Sequence, residues 1–76
     1  MAQVIVILND AGEGTGFLAA DGKITGSYRR AYRFEPGPHV EIIARQFVKE
    51  HKGVTAVGGV EREFDFGYEI AEAPGL

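Results

Sequence analysis

The sequence predicts an α+β fold: a mostly antiparallel sheet of four or five strands, with one helix over residues 38–52 packed on one face. Three observations predict it. Val4-Ile5-Val6-Ile7-Leu8 is apolar at odd and even positions alike, so as a strand it presents hydrophobic side chains to both sheet faces. Residues 23–34 and 60–70 alternate with a period of two. Between them, one stretch alone carries the period of an amphipathic helix.

The first strand ends at Asn9-Asp10, and Gly12-Glu13-Gly14-Thr15-Gly16 reads as a loop. Asp21-Gly22, between Phe17-Leu18-Ala19-Ala20 and Lys23-Ile24-Thr25, predicts a type I′ hairpin turn with positive φ at both central residues. The next strand is expected from Lys23 to Phe34, with Ile24, Tyr28, Arg30, Tyr32 and Phe34 on one face and Thr25, Ser27, Arg29, Ala31 and Arg33 on the other. Glu35-Pro36-Gly37-Pro38 breaks it, and Pro38 suits the first helical turn. Val40, Ile43, Ala44, Phe47 and Val48 then form one buried stripe, while Glu41, Arg45 and Lys49 form an exposed row. His51 and Lys52 fall in the last turn, with His51 serving the helix C-terminus and Gly53 as the left-handed C′ residue.

Val54 to Val57 and Val60 to Ile70 complete the strands, with Gly58-Gly59 as a turn or bulge. On the last strand Arg62, Phe64, Phe66, Tyr68 and Ile70 share a face, opposite Glu61, Glu63, Asp65 and Glu69. Ala73-Pro74-Gly75-Leu76 is expected to fray. The expected core is Ile5 and Ile7, or their even-numbered neighbours, with Tyr28, Tyr32, Ile43, Phe47, Phe64 and Phe66. One helix covers one sheet face, so the surplus on the first strand calls for a tail, a homodimer or a protein partner across the other.

Composition bounds the function. A chain of 76 residues makes one small domain, residues 1–76, which buries only about 60% of its unfolded surface. The net charge of −3 gives no global attraction to nucleic acid. With no cysteine, the chain has neither disulfides nor thiolate chemistry, which fits a cytoplasmic protein. Its longest apolar run falls far short of the roughly 20 residues that cross a bilayer, and the start lacks a signal peptide's basic and apolar regions.

No motif assembles a catalytic set, so the expectation is a protein that is not an enzyme and takes no cofactor or metal. Gly12 to Gly16 lacks the GxGxxG spacing and opens no helix for a phosphate. His39 and His51 stand 12 residues apart, or about 18 Å along one helix, too far to share a metal. Ser27 is the only serine and has no partners in sequence for a triad.

Charge is the remaining signal. The partner-binding candidates are an acidic row, Glu61, Glu63, Asp65 and Glu69, and a basic row, Arg29, Arg30 and Arg33, with Arg62 as an additional residue. The favoured expectation is a small protein-binding inhibitor or adaptor, of the kind phages and mobile elements carry to block a host defence complex. The second is a DNA-binding or regulatory domain using Lys23, Arg29, Arg30 and Arg33. For that reading, three strands followed by a helix resembles, in layout alone, the phage integrase arm-binding domains. The third is a small enzyme or ligand-binding dimer using Tyr28, Arg30 or Arg62.

Overall fold

The computed structural model describes residues 1–74. Its elements are β1 (Ala2–Leu8), β2 (Gly14–Leu18), β3 (Ile24–Thr25), a 3-10 turn (Tyr28–Arg30), α1 (Pro38–Glu50), β4 (Lys52–Val57), β5 (Val60–Asp65) and β6 (Gly67–Ala73). Four strands form an antiparallel sheet in the order β3-β2-β1-β6, with α1 packed on β6 and β1. The α+β class and the single helix on one sheet face are as the sequence predicts. β4 and β5 form a separate two-stranded sheet.

The first two turns share one construction. Gly12 N–H donates to Asn9 O (3.0 Å) and Asn9 N–H to Glu13 O (2.8 Å); Gly22 N–H donates to Ala19 O (3.0 Å) and Ala19 N–H to Lys23 O (2.9 Å). Each is a type I turn closed by a glycine in the left-handed region, at φ 79° for Gly12 and 80° for Gly22. The type I′ expectation at Asp21-Gly22 is therefore corrected. Asp21 keeps a negative φ, and its carboxylate accepts from Lys23 N–H (3.0 Å), which holds the tighter geometry locally. Type I′ geometry occurs instead at Gly58-Gly59, the two-residue turn between β4 and β5, where both φ values are positive.

Gly14-Thr15-Gly16 belongs to β2 rather than to a loop. Glycine at 16 has a steric reason: a Cβ there would stand 2.6 Å from Ile24 Cγ2 and 2.9 Å from Thr25 O.

The expected strand from Lys23 to Phe34 is the largest correction. It stops at Thr25, whose Oγ1 accepts from Ser27 N–H (3.1 Å), a local bond that competes with the ladder. The 3-10 turn follows, and residues 31–34 wedge between the splayed ends of β2 and β1. Tyr32 N–H donates to Leu18 O (3.0 Å), while Gln3 and Phe34 exchange two backbone bonds of 2.9 and 2.8 Å. The alternation of 23–34 thus never becomes two sheet faces. Tyr28 and Tyr32 remain 42% and 45% exposed rather than in the core. Their rings pack edge-on against Phe17 and Phe34 respectively.

The helix-side core holds Ile5, Ile7, Leu18, Val40, Ala44 and Phe47, bordered by half-buried Phe34, Val48, Phe66, Tyr68 and Ile70. Phe47 and Phe66 join the core as expected, whereas Ile43 is exposed at the rim and Phe64 is half-buried at the hairpin root. On the second face Val4, 1% exposed, packs with Ala31 and Ala73, flanked by Phe17 and Ala71. Cover for that face thus comes in part from the chain's own segment around the 3-10 turn. The face is built mostly of alanine, which lets a segment without a second helix lie close.

The helix ends at Glu50, and His51 is its C-cap. Its backbone N–H donates to Phe47 O (3.0 Å), and the ring reaches the same carbonyl through Nδ1 (3.0 Å) while stacking on the Phe47 ring at 4.3 Å. His51 serves the C-terminus as expected, but Gly53 is not the C′ residue. It lies in β4 beneath Phe64, whose ring would collide with a Cβ there. The expected strand Val60–Ile70 is likewise two strands. Phe66 turns into the core between them, and the hydrogen-bond partner changes from β4 to β1. Ala73 is held at the end of β6 and buried, not frayed; Gly75 and Leu76 lie outside the described residues.

Candidate interaction surface

The β4–β5 hairpin is an arm. Each strand has six residues, a reach of about 20 Å at strand rise, and the molecule measures 43 × 22 × 21 Å. The strands pair with one another over their full length. The root is an aromatic chain: Phe64 meets Phe66 edge-on at 5.3 Å, Phe66 lies 6.4 Å from Phe47, and Phe47 stacks on His51. This chain couples the arm to the C-terminal end of α1. Lys52 and Asp65 form an ion pair across the first rung.

The register sorts the arm's side chains onto two faces. Lys52/Asp65, Val54/Glu63 and Ala56/Glu61 lie on one; Gly53/Phe64, Thr55/Arg62 and Val57/Val60 lie on the other. Val54, Val57 and Val60 are 60%, 62% and 58% exposed. Glu61, Glu63 and Arg62 are exposed, and none makes a hydrogen bond or ion pair among the described residues. The tip is thus two valines around a tight glycine turn, with acids on one flank and an arginine on the other.

The acidic row is not continuous. Asp65 is committed to Lys52, and Glu69 lies on β6 opposite Val6, in the other sheet. Among the described residues the basic and acidic rows do not cross-neutralise, because Arg29, Arg30 and Arg33 lie outside the strands and β5 pairs with β4 alone.

The three arginines of the basic row have different fates. Arg33 points inward: its Nη1 donates to the carbonyls of Tyr28 and Ala31, both at 2.7 Å, and its guanidinium sits 4.5 Å over the Tyr28 ring. It staples the 3-10 turn. Arg29 and Arg30 stay exposed beside a shallow depression with Ala20 and Tyr32. Arg62 is on the arm, whereas Tyr28 and Arg30 are on the body.

A second polar cluster escaped the sequence reading. Glu41 accepts from Arg45 (3.1 Å) and from the Tyr68 hydroxyl (3.1 Å), tying α1 to β6. The Tyr68 hydroxyl, followed by the Glu41 carboxylate, holds Arg45 above its already high ordinary value. The i+4 spacing of Glu41 and Arg45 was visible, but Tyr68 arrives only through the sheet.

Among the described residues no three His, Asp or Glu side chains group as a metal site, and no helix is long and apolar enough to cross a membrane. The chain matches no family model, and no curated protein or solved structure is significantly similar to it.

Proposed function

We propose that the chain is a non-catalytic protein-binding module, an inhibitor or adaptor that engages another protein through the β4–β5 arm. One observation carries this reading: three valines stand about 60% exposed on a hairpin whose root is anchored by aromatic packing. An arm fixed at its root loses little conformational freedom on binding, and the valines supply the apolar contact. Glu61, Glu63 and Arg62 flank them as the charges that set orientation and partner choice. Blocking a host complex on behalf of a phage or mobile element is a form of this function suited to a small chain with exposed charge.

The test is retention of a stoichiometric protein partner from a nuclease-treated lysate of the source organism. Val57→Ser with Val60→Ser, or Glu61→Lys with Glu63→Lys, is expected to abolish retention while the fold persists. Retention unchanged by both pairs sinks the assignment to the arm.

Exposed Arg29 and Arg30 beside Tyr32 support a second reading, direct nucleic-acid binding by the body. It predicts affinity that falls steeply with salt and is lost in Arg29→Ala with Arg30→Ala. Lys23 is also exposed, but Arg33 is engaged in the turn.

A further inference from the structure

The free edge of the four-stranded sheet carries an inference independent of the arm. β6 is seven residues long, pairs with β1 without a bulge, and has no neighbour on its other side among the described residues. Soluble proteins blunt such an edge with charged side chains, lysine above all, or with proline, a bulge or shortness. The opposite edge follows that rule, since β3 stops after two residues. Of these devices β6 has only the charges of Glu69 and Glu72: Gly67-Tyr68-Glu69-Ile70-Ala71-Glu72-Ala73 is full-length and unbulged and contains no lysine and no proline.

We propose that β6 pairs with β6 of a second copy, antiparallel about a two-fold axis through Ile70, making one eight-stranded sheet from two chains. The self-complementarity of the strand argues for this occupant. Ile70 is its midpoint, so this register pairs the strand along its whole length. On the helix side it sets Ile70 against Ile70 of the second copy, and Tyr68 against Glu72. On the other side it sets Glu69 against Ala71, and Gly67 against Ala73. No like charges face one another. Sliding the centre to Glu69 would place two glutamates directly opposite, an unfavourable pair. A two-fold perpendicular to the sheet also keeps both helices on the same side, continuing the layer that α1 makes on β6 and β1.

Two charge variants at one position separate this geometry from steric damage. Ala71→Glu introduces two like-charge pairs with Glu69 of the other copy, and Ala71→Arg introduces two opposite-charge pairs. In sedimentation across a concentration series, the dimer dissociation constant should rise with glutamate and fall with arginine. At pairwise cross-strand strength each change is roughly two- to thirty-fold. Equal effects of the two variants overturn the register, and a wild-type chain that stays monomeric at high concentration overturns the proposal.

A second measurement holds if either long side chain disturbs the fold at this half-buried position. The native chain has no cysteine, so Glu69→Cys with Ala71→Cys forms disulfides only through the introduced pair. Mild oxidation should give a covalent dimer. A dimer that resists this cross-link, or one dissolved by Ile42→Ser on the outer face of α1, refutes pairing through β6. The arm reading stands or falls separately, because Val57→Ser with Val60→Ser leaves this dimer intact.

Discussion

The body and the arm are both antiparallel β-structure, yet they are held together by different means. In the body, β1 is covered by α1 on one face and in part by the segment around the 3-10 turn on the other, and Ile5 and Ile7 are completely buried. In the arm, all four residues from Val57 to Val60 are exposed, and only Gly53 is buried. Burial holds the body; backbone pairing, the glycine turn and the aromatic root hold the arm. An isolated hairpin is marginal in water, so the arm depends on its root. Hydrophobic side chains in the body are therefore needed for folding, while those at the arm's tip are free to serve binding.

The sharpest way to break this contrast is Phe47→Ala. Phe47 belongs to the helix-side core and to the aromatic chain beneath the arm, so a loss of about 3–5 kcal/mol is expected in urea melts. Amide exchange should show the arm losing protection first. Gly53→Ala is the next largest. The new Cβ displaces the Phe64 ring, at a cost of about 1–3 kcal/mol, and Phe64→Leu should recover part of it in a double-mutant cycle. Full additivity of the two changes would show that Phe64 does not lie over Gly53.

Smaller effects sharpen the comparison. Asn9 Oδ1 accepts from the backbone N–H of Ala11 and Glu13, both at 2.9 Å, whereas Asp21 accepts one such bond. Asn9→Ala should cost about 1 kcal/mol and Asp21→Ala less, measured by thermal denaturation. Gly59→Ala places a side chain at φ 79° and should cost up to about 1–2 kcal/mol. Its effect should be confined to exchange rates within the arm. Val57→Ser with Val60→Ser should move stability by no more than about 0.5 kcal/mol each, since exposed sites bury little. A much larger loss would mean that the tip is packed and not free for a partner.

Elements set by neighbours in sequence were legible. Pro38 at the first helical position, the Glu41–Arg45 pair and the Gly58-Gly59 turn rest on contacts within a few residues, and the helix and the double-sided first strand declare themselves in the spacing of their own apolar residues. Glu61 and Glu63 were legible as exposed from the alternation along β5, whereas Arg62, expected on the apolar face, is exposed because the arm is open on both of its faces there. The long strand through Arg29 and Arg33 failed. Alternation describes which side a residue would take if the chain stayed extended, and carries no information on whether a neighbouring strand is there to pair with. Thr25 closes a local turn, and Arg33 finds two carbonyls two and five residues back.

The sequence by itself determined the α+β class, the helix and its buried stripe, and the need to cover both faces of β1. Tertiary structure decided what supplies the second cover, and where residues 60–70 change partners. Phe64, Phe66, Tyr68 and Ile70 keep one alternation across that change, so the period of two runs on unbroken while the hydrogen bonds pass from β4 to β1. Side-chain periodicity reports a residue's own surroundings, but strand pairing depends on residues brought near by folding. The arm exists because of that second choice.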